Sequence, residues 1–523
     1  MASRPLRTPF VGVAVVALVA LAVADRVVSE SGVSRGLFRQ EMVTSAPGSA
    51  ADFGVWYCSE GTSLPGEFAE HSIVVANPAS QAVVARIMIF PGSLSNAAAI
   101  GLALQEGEPI AGQDFIGRDP VAVTLGVSAR SEVVLNLSEV VNAQFTAALV
   151  EVDSGTAVVT QRVQGPTGFD VVPCATRAAQ AWHFPAGSTR RDARLFFTLF
   201  NPFPIRAVAQ FSFVTDDGLR EPQSLRGVVV PARSLTVVEV TGEVPRFASL
   251  STTINLLAGR IVAGRLQLFD GSDGLEGLTA GPGVPQTHVQ WVFANGPARA
   301  GIVDHVMLYN PTQQEALVDL VMRFDGFRKG GLHPPFEVTV PPQQRVAVVF
   351  DDLGTYPAPA APYVYSAAAL RPSDSGFWVE ATSYNGVPIA AERVGAAAAT
   401  SSPAGVAAEA GVVAKASRHL VAGNRTEGTE VDLVVINPSP DSIAHITVSS
   451  IAHGQLTPVA HLAPQEVAPL GRVVVPVNEL LDEEVFALLV ESSQPVVVSK
   501  SLLALSGTGL SSGTAVPYNP ISL

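Results

Sequence analysis

The stretch GLSSG, Gly509 to Gly513, matches the G-x-S-x-G pattern of a nucleophile elbow. That chemistry puts a serine on a strained strand-to-helix turn and needs an acid and a histidine downstream. Only ten residues follow Gly513, and none is His, Asp or Glu. GLSSGTAVP also echoes GLTAGPGVP, Gly277 to Pro285, where Thr279 stands in the serine's place. The motif therefore reads as a repeated domain end. DGSDGLEG, Asp270 to Gly277, has the composition of a calcium loop but lacks the EF-hand spacing and its distal glutamate. It reads as a solvated turn. The nine histidines are scattered, with no H-E-x-x-H, no Cys-x-x-Cys and no glycine-rich phosphate loop. No catalytic residue, no cofactor site and no metal site is expected.

Two other sets of reactive or charged residues remain. The chain has two cysteines, Cys58 and Cys174. An even count favours a disulfide in an exported chain, and two thiols alone cannot complete a structural zinc site. The second set is basic. Arginines precede or open Val-rich runs at Arg130, Arg233, Arg345 and Arg472. Further basic residues stand in the last strong apolar run of each repeat, at Arg162, Arg265, Arg393 and Lys500. These eight either cover sheet edges and carbonyls or form a periodic array meeting an acidic envelope polymer. The net charge of -14 weakens the second reading.

The elements that position them come in four copies. Asn77-Pro78, Asn201-Pro202, Asn310-Pro311 and Asn437-Pro438 each sit between two short, alternating, β-branched runs. Trp56, Trp182 and Trp291 each precede their Asn-Pro by about one strand and a turn, and His419 takes that place in the fourth copy. Alternation of this kind is strand periodicity. About seven strands per copy fit an immunoglobulin-like sandwich, and the copies are too long for propeller blades. Proline cannot donate to a ladder, so the Asn-Pro reads as a corner between adjacent strands. The tryptophans read as core residues or plugs between domains, with exposed sugar stacking as the alternative.

The fold class is therefore all-β, four tandem immunoglobulin-like β-sandwich domains after an N-terminal hydrophobic helix. The expected boundaries are 1–28 for a cytoplasmic tip and signal or anchor helix, 29–50 for a linker, then 51–175, 176–286 and 287–396 for three repeats. An Ala/Ser/Pro linker follows at 397–411 and the fourth repeat at 412–523. Arg4 and Arg7 precede an apolar run from Phe10 to Ala24, the arrangement of an export signal. Ala22-Val23-Ala24 fits a cleavage site, while Val27 and Val28 extend the run towards a membrane span, so both an uncleaved anchor and a secreted form stay open. Hydrophobic residues at 47% with charged residues at 15% exclude a disordered chain. No basic stripe points to nucleic acid.

WYCSEG, WHFPAG and WVFANG, with the Asn-Pro runs that follow them and PIAAER (Pro388 to Arg393), resemble an actinobacterial domain-of-unknown-function family of exported, often membrane-anchored proteins. The resemblance implies a cell-envelope location and tandem β domains, and brings no catalytic residues. The fourth copy departs from it, with His419 for tryptophan and VVVSK where the third has IAAER. The expectation is a non-enzymatic envelope protein, a rod of sandwiches holding a scaffolding surface off the cytoplasmic membrane through the N-terminal helix. The alternative is a carbohydrate-binding or adhesive module. Expected partners are envelope proteins or cell-wall glycan.

Overall fold

Alternation along the apolar runs produces strands with one buried face. In Val83–Leu94, residues Val83, Ala85, Ile87 and Ile89 are buried while Arg86 and Met88 face solvent. The computed structural model describes residues 54–94, 119–153, 155–296, 301–325, 335–350, 363–368, 375–425, 428–459, 465–479, 481, 485–518 and 521–522. These are all-β apart from single 3-10 turns. Among them, no helix is long and apolar enough to cross a membrane. The expected signal or anchor helix at 1–28 and the linker at 29–50 lie outside the described residues.

Among the described residues, the first copy has eight strands: β1 (Gly54–Cys58), β2 (Glu70–Asn77), β3 (Val83–Leu94), β4 (Val121–Val127), β5 (Ser131–Asn136), β6 (Phe145–Val152), β7 (Val158–Gly165) and β8 (Gly168–Pro173). They pair in the orders β1-β6-β3-β4 and β5-β2-β7-β8. Both orders recur in the second copy, where Ala193–Asn201 pairs Ser234–Glu239 and Val262–Asp270, which in turn pairs Glu276–Pro282. The third repeats them with Ile302–Asn310 at the same place. In the fourth, one strand, Val485–Ala504, serves both sheets.

The Asn-Pro corners are held by the asparagine. Each of the four asparagines is fully buried. Asn310 Nδ2 donates to the carbonyls of Gln314, Val340 and Pro341, and its Oδ1 accepts from Thr312 N at 3.0 Å. Asn77, Asn201 and Asn437 make the same four contacts in their own copies. The side chain thus ties the corner to the end of the strand lying over it, satisfying carbonyls that would otherwise be buried unpaired.

The copies do not form a rod. Their last strands, β8, Glu276–Pro282, Gly405–Ala410 and Leu510–Thr514, pack around one centre, each against the next and the fourth against the first. Cores run across the joints: Tyr518, Val516 and Leu420 of the fourth copy pack with Trp56 and Ile73 of the first. Between the first two copies the backbone itself pairs, β3 lying parallel to Ser234–Glu239 with Gly92 opposite Leu235. Residues 44–523 make one compact unit.

The expected linker at 397–411 is a hairpin. Ala390–Ala397 pairs Gly405–Ala410 along its length, and both strands are almost wholly buried. Its small residues let the strand lie at the centre: a Cβ on Gly405 would sit 2.8 Å from Leu510 N. Alanine and glycine here serve close packing, whereas their composition alone resembles a loose joint.

Candidate functional site: the clefts between successive copies

Each junction is built from the same positions. The residue five before the Asn of Asn-Pro, and the residue three before it, face the preceding copy. At the first junction these are Phe196 and Thr198. Phe68 stacks on Phe196 at 5.4 Å and Phe145 lies 5.7 Å from it, so the space is filled. At the second they are His305 and Met307, and a cavity of about 30 Å³ remains. At the third they include Val434, and the cleft holds about 230 Å³. Where the fourth copy meets the first they are Ser72 and Val74, and the cleft holds about 340 Å³.

The repeated basic residues lie at these junctions. Arg265 Nη2 meets Glu392 Oε1 at 2.5 Å, joining the second and third copies, and Ala186 N donates to Glu392 Oε2. Arg393 meets Asp304 at 2.6 Å, with both side chains almost inaccessible, and lies 3.9 Å from Glu409. Glu409 in turn accepts from Ser499 and Ser512 of the fourth copy at 2.8 and 2.6 Å. Lys500 Nζ donates to Ala422 O at 2.8 Å; burial pulls its pKa down to about 8 against the opposing pull of Glu132 and Asp170. Arg162 is half-buried in the cleft between the fourth and first copies and donates to Gln164 Oε1 at 2.9 Å.

The second set of arginines falls into two registers. Arg130 and Arg233 occupy left-handed turn positions, with φ of 48° and 49°. Gln343 and Leu470 take that place in the other copies, with φ of 50° and 56°. Arg345 and Arg472 stand two residues later, inside strands, and reach back one copy. Arg345 Nη2 meets Asp216 at 2.7 Å and Ser249 O at 2.5 Å. Arg472 meets Asp325 at 2.6 Å and Ala294 O at 3.1 Å. The same register holds Glu132 in the first copy, which accepts from Gly423 N at 2.9 Å, and Leu235 in the second. So one strand position makes all four junctions, by an acid, an apolar contact and two cations.

Trp56, Trp182 and Trp291 are buried at 0%, 1% and 2% exposure, which removes them from any sugar-stacking face. Trp182 Nε1 donates to Ile261 O at 3.0 Å and Trp291 Nε1 to Ile389 O at 2.9 Å, so these two are core residues with satisfied indoles. Burial lowers the pKa of His419, in the equivalent place, to about 3. Cys58 and Cys174 form a disulfide with Cα atoms 4.7 Å apart. It links β1 to the residue after β8, the opening and closing segments of one copy.

At the centre, Asp170 of the first copy accepts from Ser511 Oγ at 2.6 Å, Thr279 Oγ1 at 3.0 Å and Ala280 N at 2.8 Å. The serine of the elbow-like motif is thereby a structural donor to a carboxylate whose pKa burial raises to about 6. The acids Asp170, Glu132, Asp304, Glu392 and Glu409 escaped sequence reasoning. The signal was there, because repeated cations in a chain of low charge call for fixed counter-charges. Among the described residues no group of three His, Cys, Asp or Glu could hold a metal ion.

No protein-family model matches the chain, and no curated protein matches it. Among solved structures, an α-L-rhamnosidase of Streptomyces avermitilis in complex with L-rhamnose aligns at 10% identity and a TM-score of 0.13. That alignment covers 72% of this chain and 45% of the rhamnosidase, so the chain spans less than half of that protein. A likeness at this level carries no argument about fold or function.

Proposed function

We propose that this chain is a non-enzymatic, extracytoplasmic protein of the cell envelope, a scaffolding or protein-interaction platform of four immunoglobulin-like sandwiches. The third sandwich extends to residue 411, and the others keep 51–175, 176–286 and 412–523. The observation that carries the reading is the use of the repeated side chains. Three tryptophans, four asparagines and most of the repeated cations are spent on cores, corners and junctions, which is construction. The buried Cys58–Cys174 disulfide fits an oxidising compartment. The resemblance to exported actinobacterial proteins points the same way, and residues 1–28 would hold the chain at the cytoplasmic membrane or direct its secretion.

Location and role are tested separately. Protease added to intact cells bearing the tagged full chain should degrade the tag, and thiol alkylation before lysis should find Cys58 and Cys174 oxidised. A protected tag with free thiols would end the envelope reading. Cross-linking in living cells should then recover envelope proteins. Recovery of cell-wall glycan instead would favour the carbohydrate-binding reading, for which the polar clefts at the junctions are the specific structural support.

A further inference from the structure

The four Asn-Pro corners share one hydrogen-bond scheme, and the second differs from the others in what it shows to solvent. The carbonyl that accepts from the corner amide belongs to Ile205 in the second copy and to Gln81, Gln314 and Ser442 in the others. The backbone N–H that donates back to the asparagine belongs to Phe203 there and to Ala79, Thr312 and Ser439 elsewhere. Two neighbouring turns join this apolar corner. Arg233 N donates to Phe203 O at 3.0 Å, and the Arg260 guanidinium lies 4.4 Å from the centre of the Phe203 ring. A Cβ on Gly259 would sit 3.3 Å from Arg206 O. Ile205 is 72% and Leu257 62% exposed, and Arg206, Arg233 and Arg260 are exposed with them. Ile443 at the fourth corner is exposed too, but Asp441 stands two residues before it.

The three turns read PFPIR, PAR and LAGR and contain no acid. Among the described residues, none of their three arginines forms an ion pair. The acids of the second copy stand further along its strands or at their other end. Glu239 is opposite Phe196 and held by Arg194, Asp270 is opposite Glu276, and Asp216 and Asp217 follow Ala207–Thr215. Two acids of the first copy border the turns. Val121 is opposite Ile89 and Leu235 opposite Gly92 on one edge of β3, which brings Asp119 towards Arg233. Glu151 and Arg260 both act on Tyr57, and Glu151 stands opposite Arg86. With Arg86 there are four cations to two acids. The chain as a whole carries a net charge of -14, so affinity for an anionic surface has to come from a local patch.

We propose that this corner docks on an anionic phospholipid surface, with Ile205 and Leu257 entering the interface and Arg206, Arg233 and Arg260 among the headgroup phosphates. Exposed aliphatic side chains gain by leaving water, and cations are drawn to an anionic leaflet. The long arginine stem lets the guanidinium stay with the phosphates while its neighbours go deeper. An acidic polymer would need the arginines alone, and the two exposed aliphatic tips favour a bilayer over it. The contact is separate from residues 1–28 and stands whether or not the chain is an envelope protein.

The test uses residues 44–523, the compact unit, because the apolar N-terminal run would bind vesicles by itself. It should sediment with vesicles of phosphatidylcholine and phosphatidylglycerol, less so as salt rises, and not with phosphatidylcholine alone. Arg206→Gln, Arg233→Gln and Arg260→Gln should each weaken binding about fivefold. Gln343 already holds the left-handed position of Arg233 in the third copy, so that turn tolerates the change. Arg418→Gln, at an exposed ion pair of the fourth copy, should stay within about twofold of wild type. All four tryptophans are at most 2% exposed, so Ile205→Trp supplies the one exposed indole. Its emission should shift to the blue with the anionic vesicles and stay unchanged with soluble polyglutamate. Equal binding to both kinds of vesicle, wild-type affinity in the three arginine variants, or an unshifted indole on bound vesicles would overturn the proposal. Polyglutamate that displaces the vesicles, with no shift on either, would assign the surface to an acidic polymer instead.

Discussion

Gly509 and Phe169 lie in the last and first copies, and a Cβ on Gly509 would sit 2.5 Å from the Phe169 ring. The contact is one of a set. A Cβ on Gly277 would sit 2.7 Å from Val406 N and one on Gly405 2.8 Å from Leu510 N, while one on Gly168 would lie 3.6 Å from Leu278 N. Each glycine opens or adjoins the last strand of its copy and meets the residue after the corresponding glycine of the next. The chain closes on itself through these four points, and the absence of side chains there sets how near the strands can come.

Substituting Gly277 tests the closure. Its neighbour is backbone, which cannot swing aside as a side chain could. Gly277→Ala should cost about 1–3 kcal/mol, the range for overpacking a tight core. Gly126→Ala, with nothing within 4 Å of its Cβ, should stay within about 0.5 kcal/mol. Urea unfolding of the two variants decides it, and equal midpoints would contradict a centre limited by backbone approach.

The corners yield a second contrast. Asn310→Ala strands three carbonyls that its amide now satisfies, at a cost of about 2–4 kcal/mol. Pro311→Ala removes only a φ restriction and should cost about 1 kcal/mol or less. A larger effect from the proline would restore it as the residue that makes the corner. Sequence reasoning attributed the corner to Pro311 because a missing donor is visible in a sequence. The three acceptors of Asn310 lie on two other segments and are not.

The same limit separates what was legible from what was not. The Asn-Pro repeats, the strand alternation and the Cys58–Cys174 pair are local or countable features, and each could be read from spacing. Closure was not legible, because glycine at 168, 277, 405 and 509 looks like ordinary turn punctuation until the strands meet. The linker expected at 397–411 failed for the same reason: a buried Ala/Gly strand and a flexible joint share a composition. The cleft residue Arg162 and the buried Lys500 are legible as repeated cations, but their different surroundings depend on which copy follows which.

The disulfide has a counterpart in the other copies. Phe184 corresponds to Cys58 and Gly283 to Cys174, and a Cβ on Gly283 would lie 2.6 Å from the Phe184 ring. In the third copy Gly411 stands likewise against Phe293, at 2.9 Å. A large ring facing glycine thus fills the space that the bridge spans. Cys58→Ser with Cys174→Ser should destabilise the chain by up to about 4–5 kcal/mol, from release of a loop of 116 residues. Cys58→Phe with Cys174→Gly should recover part of that loss by restoring packing. Equal unfolding midpoints for the two double variants would show that packing at this position does not matter.

The last prediction is a pH dependence made of opposing terms. Burial raises the pKa of Glu60 to about 7; the Ser59 hydroxyl, 2.8 Å away, and the Gln161 amide donate to the carboxylate and offset only part of it. Burial also raises Glu132 to about 7 and Asp170 to about 6. A folded-state pKa above the unfolded one means the folded chain binds more protons, so these groups lose stability as pH rises from about 4 to about 7. Burial lowers His71 and His183 to about 4 and His305 and His419 to about 3. Their unfolded forms bind more protons below about pH 6.5, so they lose stability as pH falls towards those values. The two trends overlap, and the whole-protein profile hides both. Glu60→Gln separates them. The side chain is fully buried beside Gly264, so the amide keeps its shape while removing the titration. Between pH 5 and pH 8 the wild type should lose on the order of 3 kcal/mol relative to the variant. Urea unfolding at the two pH values measures the difference. A wild-type profile parallel to that of Glu60→Gln would mean that Glu60 titrates in the folded chain as it does in the unfolded one.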